Sequence, residues 1–569
     1  MFRKTLLSLS IAIVFFGFSS SAAERHKQVS SHPFLWENAT VYFVLTDRFV
    51  NSDKSNDLAY GRQADAAALR GFMGGDLKGI TAKIKDGYFS RLGVNALWLT
   101  PPVEQIHAAT DEGTGKSYGF HGYWAKDFTS IDANWGTEKD LNNLIETAHR
   151  HGIRILLDVV LNHTGPVTES DPVWPADWVR TSPTCDYQSA NGAMQCTLVK
   201  NLPDFLTESD QPVELPPFLI KKWKQEGRYQ REVQELEAFF GRTGYPRAPR
   251  YYLIKWQTDW VRRHGIDGFR VDTVKHVEAS VWKELKQEAS LAFEEWKKAN
   301  PNKKLSDDPF FMTAEAYNYP ISDGLLFRMD GGSRINYYAN GFDSMINFGF
   351  KSDANLSYEA LFSRYSQYLQ KELRGYSVLN YISSHDDGSP FDPTRQRTFE
   401  SATKLLLSPG SAQIYYGDEI ARMLNIDEAQ GDAKLRSMMD WSVLQGHKPL
   451  PEIPKNSPPQ VSKSYRDLLI HWQKLGQFRR AHIAVGAGVH QQISATPYIF
   501  KRHYQKDGVS DAVIAALDIE IGKALSIPID GVFQDGEVVR DYYTGTKHII
   551  KNGMLEMHAT HSIILLGKP

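Results

Sequence analysis

Cysteine is nearly absent, with two among 569 residues. That excludes a disulfide-dense scaffold and, with no histidine beside them, a cysteine-held zinc site. An excess of one charge is missing too. The 65 Lys+Arg against 67 Asp+Glu leave a formal net charge of -2, and nothing draws such a chain to nucleic acid. Past the N-terminal segment no apolar run is long enough to read as a membrane span. No Gly-rich dinucleotide turn follows any strand-like run, which argues against an open doubly wound sheet. Repeats and low-complexity tracts are also lacking.

At 41% hydrophobic and 23% charged, the chain reads as globular and soluble. Its N-terminus is set apart. Arg3 and Lys4 precede an apolar run from Leu6 to Phe18, and "SSSAAE" follows. This is a charged region, a hydrophobic region and a small-residue cleavage site, so residues 1–23 are expected to be an export signal. No cysteine follows it that would take a lipid. The mature protein is expected in the periplasm or outside the cell, monomeric and without stable membrane association. In that oxidising setting Cys185 and Cys196, which share one polar stretch, are expected to pair.

Eight short apolar runs alternate with helical patterns: "VYFVL" (41–45), "VNALWLT" (94–100), "IRILLDVV" (153–160), "IDGFRVD" (266–272), "FFMTAEA" (310–316), "SMINFGF" (344–350), "SVLNYISS" (377–384) and "AQIYYG" (412–417). Eight buried strands separated by helices predict an α/β fold, a closed (β/α)8 TIM barrel. About a hundred residues separate "NHT" (162–164) from the fourth run. A structureless loop of that size is improbable, so a small inserted domain at 165–215, after strand 3, is expected. The charged stretch "KKWKQEGRYQREVQELEAFF" beyond it reads as helical and solvated. "SYRDLLIHWQKL" (464–475) puts Tyr465, Leu468, Leu469, Trp472 and Leu475 on one helical face. The barrel unit is therefore read as 24–484, and 485–569 as a C-terminal antiparallel β-sandwich.

The chemistry concentrates at strand ends. In "GFRVDTVKH" (268–276) the period of two puts Arg270 and Asp272 on one side, at the mouth of a barrel. A guanidinium there keeps a carboxylate ionised and nucleophilic. "AEAY" places Glu315 at the next strand end, "SSHDD" places His385 and Asp386 at another, and "DVVLNH" places Asp158, Asn162 and His163 at an earlier one. Burying so many charges is costly unless they serve a site.

Taken in chain order, "DVVLNH", "GFRVDTVKH", "AEAY" and "SSHDD" resemble the four motif regions of the α-amylase family of glycoside hydrolases, in the family's order. "NLPDF" (201–205), "HGYWAKDF" (121–128) and "PGSAQIYYGDEI" (409–420) are also similar to family segments. The resemblance runs from about residue 38 to the C-terminus. It implies Asp272 as nucleophile, Glu315 as general acid/base and Asp386 as the carboxylate that grips the sugar. Arg270 would hold Asp272, Asp158 would join it among the substrate-binding residues, and His163 and His385 would bond the sugar at the cleavage subsite. Tyr123 would stack on that sugar, and Lys275 and His276 would meet the leaving-side sugars. Two positions depart from the family pattern. Ala314 replaces the usual glycine before the acid, and Ser384 replaces the usual asparagine before His385.

The same resemblance implies Ca²⁺ at one or two places. The donor-rich "NSDKSND" with "MGGDL" supplies Asn51, Asp53, Asn56, Asp57, Gly74 and Asp76, similar to a cyclodextrin-glucanotransferase loop. Asn162, Asp204 and the carbonyl of His276 match the family's more widespread calcium position. The activity implied is retaining, internal hydrolysis of α-1,4 bonds in starch-like glucans and maltooligosaccharides. The alternatives are a glucanotransferase or cyclomaltodextrin hydrolase on the same scaffold, and a catalytically inactive carbohydrate-binding relative. The absence of extra N- and C-terminal domains favours the amylase expectation, and the intact Asp272, Glu315 and Asp386 disfavour the inactive one.

Overall fold

The computed structural model describes residues 32–111, 113–450, 463–529 and 531–569. The export signal read at 1–23 lies outside the described residues. Eight parallel strands close into a barrel: β1 (Thr40–Val44), β2 (Ala96–Leu99), β3 (Arg154–Val159), β4 (Gly268–Val271), β5 (Phe311–Ala314), β6 (Ser344–Asn347), β7 (Ser377–Tyr381) and β8 (Ser411–Tyr415). Spatial order follows chain order, and β8 closes on β1 with Tyr42 opposite Ile414. Every residue of these strands is buried. The barrel interior covers one face and helices the other, which is why they read as continuous apolar runs.

The longer helices are α1 (Leu77–Lys85), α2 (Glu138–Arg150), α3 (Pro217–Gln225), α4 (Tyr229–Thr243), α5 (Pro249–His264), α6 (Ala279–Ala299), α7 (Tyr358–Gln370), α8 (Thr398–Leu407) and α9 (Tyr465–Ala481). Their ends follow local chemistry. Capping boxes open α2 (Thr137 with Asp140) and α9 (Ser464 with Asp467). Pro249 starts α5, and Gly265 stops it in the left-handed region at φ 71°. A side chain at 265 would strike the Trp296 ring at 2.2 Å. The glycine thus ends the helix, lets α6 pack close, and sends the chain straight into β4.

Between β3 and α5 lie two short paired strands, Val179–Arg180 and Asp204–Phe205, then α3 and α4. The expected disulfide is there: Cys185 and Cys196 are bonded, with Cα atoms 4.9 Å apart. The helices α3 and α4 exist as expected but are not simply solvated. Trp223, Leu236, Phe239 and Phe240 are buried. The many charges of this stretch hid a narrow apolar stripe.

The C-terminal part is antiparallel. Strands β9 (Val489–Ala495), β10 (Tyr498–Lys506), β11 (Val509–Leu517), β12 (Ala524–Pro528), β13 (Val538–Asp541), β14 (Lys547–Ile549), β15 (Met554–His558) and β16 (Ile563–Gly567) form two sheets. The larger has the order β9-β10-β11-β16-β13-β14, and β12 pairs with β15. Ile499, Ile514, Ile527, Val539, Leu555 and Leu566 from both sheets share one core, which makes a sandwich. Among the described residues no helix is long and apolar enough to cross a membrane.

Candidate active site

The barrel strands all deliver their C-terminal ends to one mouth. In β4, Arg270 lies opposite Asp158 of β3 and Thr313 of β5. Its guanidinium is 1% exposed. One terminal nitrogen donates to Asp158 Oδ1 and Oδ2 at 2.9 and 3.1 Å and to Asp272 Oδ1 at 2.6 Å. The other lies 3.8 Å from Glu315 Oε2. One buried cation therefore organises three carboxylates from three adjacent strand ends. The glycine that opens this strand has a steric reason. A Cβ at Gly268 would meet Phe311 O at 2.5 Å and Leu156 Cδ2 at 2.7 Å, prising β4 from its neighbours.

Asp158 sits deeper than a sugar-contacting group would. It is 1% exposed and also accepts from Trp98 Nε1 at 3.0 Å and the Tyr123 hydroxyl at 2.8 Å. It anchors Arg270 and Tyr123 from below. This corrects its reading as a substrate contact: a carboxylate with that many donors has no free edge toward the cleft.

After Asp272 the chain turns sharply. Thr273 adopts φ 49°, in the left-handed region that a β-branched residue rarely enters. The turn aims its amide at Glu315 Oε2, 2.7 Å away. Backbone strain at such a place is a mark of function.

Electrostatics separates the carboxyls. Burial pushes Glu315 well above the usual range; Arg270 pulls it back, and Asp272 and Asp386 push it further. The loss of water counts for more than the neighbouring carboxylates. Asp386 goes the other way. Against the cost of burial, His385, Arg270 and the Ser384 hydroxyl hold it below the usual range. Ser384 donates to Asp386 Oδ1 at 2.9 Å, so the departure from the family's asparagine still leaves the carboxylate a partner. Ala314, the other departure, is fully buried and keeps its register opposite Val271 and Met345. Burial drives His385 down to about 4, which keeps it neutral and able to both donate and accept. Burial also lowers His163.

The Tyr123 ring lies against His385, with centroids 5.3 Å apart and planes 24° apart. His163 Nε2 meets Tyr123 O at 3.1 Å. Lys275 Nζ donates to Asp330 Oδ2 at 3.1 Å, and His276 Nδ1 meets Ala193 O at 2.6 Å. Asp272, Glu315, Asp386, Lys275 and His276 line one open cleft of about 460 Å³, joined by Tyr187, Tyr317, Asn318 and Asp330. Of these, Tyr187, Tyr317, Asn318 and Asp330 were not anticipated, nor was Trp98 beneath Arg270. "ALWLT" ending a strand could have pointed to Trp98, and "AEAY" carries Tyr317 two residues past Glu315; nothing in the local sequence marks the others.

Parts of both donor clusters suit calcium. Asn51 Oδ1 and Asn56 Oδ1 are buried acceptors with no hydrogen-bond donor among the described residues. The Asn51 amide donates to Asp57 at 2.9 and 3.1 Å. A Cβ at Gly74 would fall 2.2 Å from Asn51 Nδ2 and 2.6 Å from Asp57 Oδ1, so the glycine keeps backbone pressed against the cluster. Asn51, Asn56, Asp57 and Gly74 fit a hard cation. Two expected ligands are already engaged. Asp76 caps α1 through Gly79 N at 2.6 Å and takes the amides of Ser52 and Asp53 at 2.7 Å. Asp53 pairs with Lys78 at 2.5 Å. At the second position Asp204 Oδ1 is likewise buried without a donor, beside Asn162, whose carbonyl accepts from Phe205 N at 2.8 Å. Burial raises the Asp204 carboxyl well above its usual range, and Arg180, 3.4 Å from its other oxygen, only partly offsets this. The donor set of Asn162 and Asp204 fits the same chemistry.

Comparison with known proteins extends this geometry. The family model described as "Alpha amylase, catalytic domain" matches residues 43–486. A periplasmic alpha-amylase of Escherichia coli (strain K12) is 38% identical over 522 residues, covering 82% of this chain and 70% of that protein. A cyclomaltodextrin glucanotransferase of Geobacillus stearothermophilus is 27% identical over 485 residues, covering 83% of this chain and 59% of that one. Among solved structures, an alpha-amylase from Geobacillus thermoleovorans complexed with acarbose has a TM-score of 0.63 at 21% identity, covering 94% of this chain and 99% of that one. This last likeness speaks to the fold alone.

Proposed function

Because the chain belongs to the α-amylase family of glycoside hydrolases, we propose that it is an exported, retaining α-amylase. On this reading it cuts α-1,4-glucosidic bonds within starch-like glucans and maltodextrins. The observation that carries this is the single buried guanidinium shared by Asp158 and Asp272 and close to Glu315, in one cleft with Asp386. Glu315, held protonated by burial, gives its proton to the leaving glycosidic oxygen. Asp272 attacks the anomeric carbon as that bond breaks and forms a glycosyl ester. Glu315, now a carboxylate, takes a proton from water, which attacks from the opposite face and releases Asp272. Asp386 grips the sugar hydroxyls, while neutral His163 and His385 bond the same sugar and Tyr123 stacks beneath it. Export is supported by the N-terminal signal pattern and by a periplasmic relative.

Two inversions give net retention. In a time course on starch and maltoheptaose followed by NMR and chromatography, the α-anomer should appear first, as maltooligosaccharides, with starch viscosity falling early. First release of the β-anomer would contradict double displacement. Cyclodextrins as the main early products would favour the glucanotransferase reading, which the relatives at 27% identity keep in view.

Calcium, at the positions of Asn51, Asn56, Asp57 and Gly74 and of Asn162 and Asp204, would supply structural charge rather than chemistry. An ion bound only by the folded chain stabilises by RT ln(1 + [L]/Kd), about 2.7 kcal/mol at a hundredfold excess over Kd. Exhaustive chelation should lower the melting temperature and added calcium should restore it. An unchanged melting curve, with no calcium found by elemental analysis, would remove both sites from the account.

A further inference from the structure

We infer that Tyr187 is the platform for the first sugar on the leaving-group side of the cleft, held there by the loop that the Cys185–Cys196 disulfide closes. The inference rests on the hydrolase reading above.

Tyr187 is out of place for a structural tyrosine. It is 43% exposed yet lines the cleft of the catalytic carboxylates. Its backbone sits at φ 57°, in the left-handed region that costs a side-chain-bearing residue stability. Two ring contacts hold it. The Lys275 ammonium lies 5.0 Å from the ring centroid, and the His276 ring meets it edge-on at 6.0 Å. The same loop supplies Ala193 O, which His276 Nδ1 meets at 2.6 Å. From the other side comes the turn after β5. Asp330 pairs with Lys275 at 3.1 Å, and the next residue, Gly331, abuts the loop. A Cβ at Gly331 would come within 2.9 Å of Gln188 O and of Ser189 Cα. The loop and the turn thus close on each other with Lys275 between them.

The side of the cleft follows from the acid. Glu315 must face the leaving oxygen, and the segment that bonds its carboxylate is the one Tyr187 packs on. Tyr123 and His385, stacked on each other, belong with the sugar that stays on Asp272. An exposed aromatic face suits the C–H face of a glucose ring, and a platform fixed in advance loses little freedom on binding.

The test compares a donor with leaving-side sugars against one without. Maltoheptaose has them; α-maltotriosyl fluoride does not. Tyr187→Ala should lower kcat/KM on maltoheptaose about tenfold, the equivalent of one ring contact, and leave the fluoride within about twofold. Transfer to added maltose, read by chromatography, should fall in parallel. Tyr187→Phe keeps the ring and should stay near wild type on both donors. An equal loss on both donors would make Tyr187 a support of the catalytic centre and overturn the inference. So would no loss on either. A wild-type chain inactive on both donors would overturn the hydrolase reading itself, a result distinct from these.

Discussion

Asp272→Asn is expected to lower turnover on maltoheptaose on the order of 10⁴-fold or more, since loss of a nucleophile costs more than the 10²–10⁴ of a proton-transfer step. The amide keeps the shape of the side chain but cannot form the glycosyl ester. The fold should barely notice. Arg270 stays paired with Asp158 through two contacts of 2.9 and 3.1 Å, so no buried charge is left alone. A purified variant with a wild-type melting curve and more than about a tenth of wild-type turnover would remove Asp272 from the nucleophile's role.

Glu315→Gln is expected to lose about 10²–10⁴-fold on maltoheptaose, where the leaving alkoxide needs a proton. It should lose far less in the glycosylation step with α-maltotriosyl fluoride, because fluoride leaves unaided. The pH profile separates the same steps. Burial raises Glu315, so the acid form persists well above the usual carboxyl range. Activity on maltoheptaose should fall as pH rises through that raised value. The alkaline limb should be absent from the glycosylation step with the fluoride. The stability sign is the reverse of a salt-bridged carboxylate. The folded pKa lies above the unfolded one, about 4.3. Stability from this group is therefore complete below that unfolded value and is lost as pH rises through the folded one. Glutamine cannot ionise, so the variant should melt no lower than wild type at neutral pH. Equal losses on both donors would reassign Glu315 from acid to a positioning role.

The barrel was legible because its strands are buried on both faces. An apolar run such as "IRILLDVV" has no other stable use at that length between helical patterns. Arg270 and Asp272 were legible because a strand's period puts alternate residues on one side, and the 2.6 Å pair follows from that alone. What stayed hidden depends on residues far apart in the chain. Trp98 donates to Asp158 across 60 positions, and only barrel closure brings them together. The family resemblance implied Asp76 as a cation ligand; its place at the start of α1 makes it a helix cap instead. Asp158 opens a motif rich in site residues, but its depth under Arg270 and Tyr123 could not be read from spacing. Tyr187 lay in a stretch marked only by its cysteines, and its position over Lys275 arises from a loop that folds back on the barrel mouth.

The central claim is a covalent intermediate on Asp272, and trapping it is the most direct measurement. Glu315→Gln, mixed with α-maltotriosyl fluoride and quenched in acid, should form the ester and then stall, because no general base activates the water. Digestion and mass spectrometry should find one maltotriosyl group, on the peptide that contains Asp272. The same group on a peptide carrying Asp386 or Asp158 would contradict the assignment. No adduct, together with β-anomer product from the wild-type chain, would contradict the double displacement itself.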